Sequence, residues 1–74
     1  MSYRINIIIE KDKDGYSAYS PELNSCHSQG DTFDETMNNI KEAIELYLET
    51  LSDDEKKELG SKEIITTSYE VKVA

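Results

Sequence analysis

The chain opens on alternating apolar and polar residues. Between Tyr3 and Glu10 every second residue is apolar, and these residues would share one face of a strand: Tyr3, Ile5, Ile7 and Ile9. A period of two is typical of a half-buried β-strand, so this segment is predicted to be the first strand. Asp14-Gly15 favours a tight turn, because glycine adopts positive φ readily, and predicts a hairpin into a second strand over Tyr16 to Ser20. Pro21 ends that strand because it has no N–H to donate.

The middle of the chain changes to helical spacing. A short third strand with low apolar content is expected first, over Cys26 to Gly30. Thr32 and Glu35 then have the spacing of a capping box, which predicts the start of a long helix. The apolar residues of that helix form one stripe: Phe33, Met37, Ile40, Ile44, Tyr47, Leu48 and Leu51. Leu46 lies off the stripe, and is either an ordinary exposed leucine or part of a second contact surface.

A short helical segment and a final strand complete the pattern. Ser52 and Glu55 repeat the capping-box spacing, and Gly60 is typical of a helix end. From Glu63 to Ala74 the alternation returns, with one face formed by Ile65, Thr67, Tyr69, Val71 and Val73. The whole chain is therefore predicted to be one α+β domain, residues 1–74, with the order β-β-β-α-β. A mainly antiparallel sheet would carry one long helix packed on one face.

Composition narrows the range of partners. The 74 residues include 16 Asp and Glu against 8 Lys and Arg, a net charge of −8. Because the lysines and the arginine are scattered along the chain, direct nucleic-acid binding is disfavoured. An acidic surface favours a basic protein partner. The alternative is that the negative charge only keeps a small protein soluble. The longest apolar run is Ile7–Ile9, which predicts a cytoplasmic protein without membrane attachment. A domain this small folds near the limit of self-sufficiency, so we expect a homodimer or larger homo-oligomer, with the last strand pairing edge to edge.

Catalytic patterns are sparse. Cys26 has no second cysteine to pair with, and a catalytic pair with His27 is geometrically poor because neighbouring residues of a strand point to opposite faces. A metal-dependent nuclease remains a weaker alternative, and its candidate ligands are Glu10, Asp12, Asp14 and Asp31. The acids of the hairpin loop alternate with lysines, which is ordinary composition for a solvated turn. We therefore expect a protein that is not an enzyme, with no catalytic residues, cofactor or metal.

Three runs of the sequence resemble the HicB-like antitoxin family. They are Gly15–Leu23 (GYSAYSPEL), Cys26–Thr32 (CHSQGDT) and Asn39–Leu48 (NIKEAIELYL). The match extends in order and spacing from about Tyr3 to Glu49. The chain departs from the family pattern at Asn24-Ser25, where Pro-Gly is usual, and at His27, where a small or apolar residue is usual.

The resemblance implies a partly formed RNase H-like domain without catalytic acids. It also implies the antitoxin of a type II (HicAB-like) toxin–antitoxin pair, which binds a small basic HicA-like ribonuclease toxin and covers the site that cuts mRNA. Many relatives carry a C-terminal DNA-binding segment, and since this chain ends at Ala74 we expect no such domain here. The alternative is a stand-alone oligomeric scaffold or ligand-binding domain that kept the fold without a toxin.

Partner contacts are expected on the loop and strand that follow the hairpin. The candidate residues are polar or amphipathic groups outside the predicted core face: Tyr19, Glu22, His27 and Gln29. The competing interpretation is that Tyr19 lies partly in the core and that the other three are merely solvated.

Overall fold

The fold combines a small antiparallel sheet with two helices. The computed structural model describes residues 3–74. Its elements, in chain order, are β1 (Ile8–Asp12), β2 (Gly15–Tyr19), β3 (His27–Gly30), α1 (Phe33–Glu49) and α2 (Asp53–Leu59). The strands lie in the order β1-β2-β3, both pairs are antiparallel, and α1 packs against β3 and β2. The α+β class and the three-stranded meander are confirmed, whereas the RNase H-like relationship stays a prediction.

The predicted final strand is not formed in the single chain. Residues 62–74, which we call the C-terminal tail, contain no strand and make no backbone-to-backbone hydrogen bond within residues 3–74. Their apolar side chains are strongly exposed: Ile65, Tyr69, Val71 and Val73. Alternation determines which residues would share a face of the strand, but a strand also needs a neighbouring strand to pair with. No other strand of this chain lies beside the tail within residues 3–74. The expected order β-β-β-α-β is therefore corrected to β-β-β-α-α.

The hairpin forms as predicted, with its first strand shifted along the chain. Ile8 pairs with Tyr19 and Asp12 with Gly15, which leaves a two-residue turn. The Asp14 N–H donates to Oδ1 of Asp12 at 2.8 Å, and Gly15 has a φ of 132°, a value that favours glycine. Pairing begins only at Ile8 because the residues before it lie opposite the chain beyond Tyr19, where the second strand has ended.

The core is small and lies between the sheet and α1. Its buried apolar residues within 3–74 are Ala18, Leu23, Cys26, Ile40 and Ile44. Partly buried residues pack around them: Ile5, Ile7, Ile9, Met37, Ala43, Tyr47, Leu48 and Leu59. The predicted helical stripe thus faces the core, except that Phe33 is half exposed and meets Tyr16 edge to face, with 6.3 Å between ring centroids. Leu46 is exposed, as its position off the stripe predicts.

The two predicted caps differ in completeness. Before α2, Ser52 Oγ accepts from the Glu55 N–H and the Glu55 carboxylate accepts from the Ser52 N–H, which is a full capping box. Before α1, Thr32 Oγ1 accepts from the Glu35 N–H at 3.1 Å, but the Glu35 carboxylate accepts from Asp31 instead. The start of α1 is therefore correctly predicted, with only half of the expected box. No helix formed by residues 3–74 has both the length and the apolar character needed to cross a bilayer.

Candidate functional site

The sheet face opposite α1 is open. Ala18 points into the core, so its neighbours in β2 point to the other face, because side chains alternate along a strand. The register aligns two cross-strand rows on this open face. One row is Ile8, Tyr19 and His27, and the next is Glu10, Ser17 and Gln29. These six residues define what we call the open face.

Three of the four predicted contact residues meet on the open face. Tyr19 lies directly opposite His27, and Gln29 lies two residues further along β3. All three are exposed, and Tyr19 keeps 40% of its surface accessible and lies outside the core cluster. A shallow depression runs between these strands. An aromatic ring flanked by an imidazole and an amide combines apolar contact area with hydrogen-bonding groups, which suits recognition of another protein.

Glu22 does not join this row. Both oxygens of its carboxylate accept from the Asn6 N–H at 3.2 Å, and Oε2 also accepts from Asn6 Nδ2 at 3.1 Å. The side chain is partly buried. Glu22 therefore connects the loop after β2 to the segment before β1 by hydrogen bonds. The two residues are 16 positions apart, so neither composition nor periodicity predicts this contact.

Cys26 and His27 point to opposite sides of the sheet. Cys26 belongs to the buried core, and burial raises the pKa of its thiol by penalising the thiolate. His27 is exposed on the open face. The two side chains are thus separated as strand geometry predicts, and the thiol is held in its neutral, unreactive form.

The acids of the nuclease alternative do not form a common site. Within residues 3–74 the structure brings together no group of three or more His, Cys, Asp or Glu side chains that would hold a metal ion. Asp12 instead accepts a hydrogen bond in the hairpin turn, and Glu10 lies on the open face. Asp31 donates its N–H to Glu35 at the start of α1.

The negative charge is concentrated on the helical half of the molecule. Residues 31–58 carry ten acidic and three basic side chains, so they account for −7 of the net −8. Residues 3–30 carry four acidic and three basic side chains, and residues 59–74 carry two of each. The acids on the outer side of α1 are exposed: Asp34, Glu42, Glu45 and Glu49. Counting charge by segment would have located this acidic helical surface, whereas the total charge alone did not.

A groove runs between the end of α1 and α2. Its apolar residues are Leu23, Tyr47, Leu51 and Leu59, and its acidic residues are Glu22, Glu55 and Glu58. No sequence motif marks it, because the two helices meet there with the loop after β2, which supplies Glu22 and Leu23, and only the fold brings these segments together. Its lining therefore combines apolar with acidic side chains in an open groove.

An open sheet face and a separate acidic helical surface are typical of a small protein-binding domain. The chain belongs to the HicB-like antitoxin family: residues 3–72 match the family described as HicB_like antitoxin of bacterial toxin-antitoxin system. This confirms the family inferred from the three sequence runs.

Relatives extend the same likeness over most of the chain. The chain is 47% identical to a UPF0150 protein of Helicobacter pylori (strain J99) over 70 residues, which cover 95% of this chain and 97% of that protein. It is 56% identical to a UPF0150 protein of a Synechocystis species over 50 residues, covering 66% of this chain and 63% of the relative. It is also similar to a UPF0150 protein of Archaeoglobus fulgidus, with 57% identity over 44 residues, 58% of this chain and 64% of the relative. No solved structure matches the chain.

Proposed function

We propose that this protein is the antitoxin of a type II, HicAB-like toxin–antitoxin pair in the cytoplasm. It binds a small basic HicA-like toxin that cuts mRNA, covers the toxin's active site and catalyses no reaction itself. The observation that carries the proposal is membership of the HicB-like antitoxin family over residues 3–72. The RNase H-like relationship of the fold is part of the same proposal.

The charge distribution supports a basic partner. An acidic helical surface with net charge −7 attracts a cationic protein over distances of about 10 Å at 0.1 M salt, and so speeds the first encounter. The same charge repels phosphate backbones, so the protein would neutralise a nuclease without binding nucleic acid directly. We assign steering to this surface, because exposed charges at the edge of an interface change association rates more than affinity.

The open face is the proposed contact surface. It carries little net charge, and Tyr19 offers the kind of exposed aromatic that most often anchors a protein interface. His27 and Gln29 would supply hydrogen bonds around it. Glu22 is not assigned to this surface, because its carboxylate is bonded to Asn6 and it lines the groove beside α2. The proposal retains the expected homo-oligomer, in which each copy presents its own open face.

The test combines the purified protein with the product of the neighbouring toxin gene. Cleavage of a labelled mRNA should stop near a one-to-one ratio, and the two proteins should migrate together on gel filtration. Tyr19→Ala should weaken binding about 30-fold, the factor that corresponds to about 2 kcal/mol at an interface hot spot. Leu46→Ala is the matched control, because it also removes an exposed apolar side chain but lies on α1. Undiminished cleavage and no complex would refute the proposal.

The groove between α1 and α2 favours a second candidate. A scaffold or ligand-binding domain that kept the fold without a toxin would use this groove, with Tyr47 and Leu59 in contact with the ligand. The neighbouring gene distinguishes the two functions, because only the antitoxin requires a short basic partner encoded beside it. A Leu51→Asp variant changes a residue that lines the groove but lies outside the core cluster, so it would lose ligand binding in the second case and would leave toxin neutralisation intact in the first.

A further inference from the structure

The C-terminal tail has the chemistry of a strand and the exposure of an unpartnered segment. Ile65 is 76% exposed, and Tyr69 and Val73 are each 87% exposed. The radius of gyration is 14.7 Å, whereas a compact domain of this length would have about 11 Å. Isolated exposed apolar residues are ordinary, but alternating ones on an unpaired backbone expose an apolar face to water and leave the backbone N–H and C=O groups available to pair with another strand. The tail therefore lacks its partner in the single chain.

The core is unfinished on the side of β1. Ile5, Ile7 and Ile9 pack against the core cluster but stay only partly buried, as do Tyr47 and Leu48 of α1. Another strand beside β1 would extend the sheet across this margin, and its apolar face would lie next to Ile5, Ile7 and Ile9.

The outer edge of β1 is free, whereas that of β3 is partly occupied. On the β3 side, Asn39 Nδ2 of α1 donates to the Gln29 carbonyl at 3.0 Å. On the β1 side, the Asn6 N–H points inward to Glu22, so the alternation of backbone groups directs those of Ile5 and Ile7 outward. No backbone partner for those outward groups lies among residues 3–74. The free edge for an added strand is thus residues 3–12.

The tail leaves the body of its own chain where this edge begins, and does not follow it. Lys62, Glu63 and Ile64 lie in a depression shared with Tyr3 and Asn6. Ile64 is the last partly buried residue, and every residue from 65 to 74 is exposed. The start of the tail therefore lies close to the start of the β1 edge, whereas residues 65–74 extend away from the body of the chain. In that position they are accessible to a second molecule.

Charge makes this the surface through which two copies can approach. Each copy carries −8, so copies meeting through their helices would repel each other. The tail carries two acidic and two basic side chains, and the edge formed by residues 3–12 carries two of each as well. These two neutral segments can pair without that repulsion.

We propose that the C-terminal tail forms a fourth strand on the outer edge of β1 of a second copy, and that the exchange is reciprocal. The homodimer would place Ile65, Tyr69, Val71 and Val73 over the unfinished margin of the partner's core. Thirteen tail residues and ten edge residues give 23 per copy, which agrees with the roughly 20–30 residues a side of a standard interface. Toxin binding plays no part in this argument, so the dimer stands or falls separately from the antitoxin function.

The test is the mass of the full chain in solution, measured by light scattering at tens of micromolar. The wild type should have about 17 kDa, twice the 8.5 kDa of one chain. Val71→Asp should halve this mass, because it places a charge on the face of the tail that packs on the partner. Ser68→Asp is the matched control: it adds the same charge to the opposite face, and the mass should stay at about 17 kDa. Circular dichroism confirms folding, since neither residue contacts the core.

A second measurement determines which edge is used. In a mixed sample of differently labelled copies, NMR should detect contacts between copies that join Val71 or Tyr69 to Ile7. A monomeric wild type, or a Val71→Asp protein of unchanged mass, would overturn the proposal. So would a monomer whose tail amides are protected, since the tail would then pair with its own β1. Contacts from the tail to β3 or to the partner's tail would overturn it as well.

Discussion

A Cβ placed on Gly30 would lie 2.8 Å from Oγ1 of Thr36 and 3.1 Å from the Thr36 backbone nitrogen. Thr36 is completely buried, and its hydroxyl donates to the Thr32 carbonyl at 2.8 Å, so it cannot turn aside without losing that bond. The first turn of α1 is therefore seated directly on the backbone of β3. This contact holds the helix against the sheet and leaves the other face of β3 open.

Gly30→Ala should destabilise the protein. The added methyl forces the helix and the strand apart, and overpacking of this kind costs about 1–3 kcal/mol in the free energy of unfolding. Gly60→Ala is the matched control, because its φ of −77° suits alanine and the nearest atom to the new Cβ is 3.6 Å away. That control should be neutral or gain about 0.4–1 kcal/mol. Urea denaturation measures both, and equal midpoints for the two variants would contradict the close contact.

The start of α2 should weaken in acid. The Ser52 N–H, and secondarily its hydroxyl, hold the pKa of Glu55 below its ordinary value of 4.5. A carboxyl group whose pKa is lowered on folding stabilises the folded state above its unfolded pKa, and this contribution is lost as the pH falls through its folded pKa. Carbon-detected NMR should give Glu55 a lower pKa in the folded protein than in urea. Ser52→Ala should raise the folded value part of the way, because the backbone donor remains.

The Cys26 thiol should resist alkylation in the folded protein. Its side chain is buried, and the raised pKa leaves less thiolate, which is the reactive form. We expect iodoacetamide at pH 8 to react at least about tenfold more slowly in buffer than in urea, because reaction requires local opening. His27→Cys in a Cys26→Ala background is the control, since that neighbouring position is exposed. Equal rates for the two thiols would contradict the assignment of Cys26 to the core.

Steering by the acidic helical surface should depend on salt. Glu45→Lys reverses an exposed charge on α1, and it should slow association with the proposed basic toxin at low ionic strength while changing dissociation little. Asp14→Lys makes the same change in net charge at the hairpin turn, away from that surface, and should slow association less. Surface plasmon resonance at two salt concentrations separates the two rates. An equal effect of both variants would assign steering to the net charge of the whole molecule.

Much of the fold could be predicted because its signals are local. Alternation before and after Asp14-Gly15 predicts the hairpin, and Thr32 with the apolar stripe predicts α1. The predicted ends of the strands are less accurate than the predicted order of the elements. The first strand begins at Ile8 rather than Tyr3, since pairing depends on where the partner strand ends and not on the strand's own residues.

The candidate site was only partly accessible from sequence. Alternation separates Cys26 from His27, but only the register places Tyr19 opposite His27. Glu22 is predicted from sequence as a partner contact, and its bond to Asn6 is not predictable because it joins two segments 16 residues apart that only the fold brings together. Thr36 lies three residues after Phe33 and four before Ile40, so helical spacing places it within the apolar stripe, but only the structure shows that this polar side chain is buried against Gly30.

The sequence by itself determined the family, the hairpin, the start of the main helix and the total charge, since each follows from neighbouring residues or from composition. The tertiary structure decided which sheet face is open, how closely α1 approaches β3, and that the last alternating segment has no partner in its own chain. The physical reason is that a strand or a contact surface is completed by a second element. Which element stands opposite is a property of the whole fold, and for the tail we infer that it is a second copy.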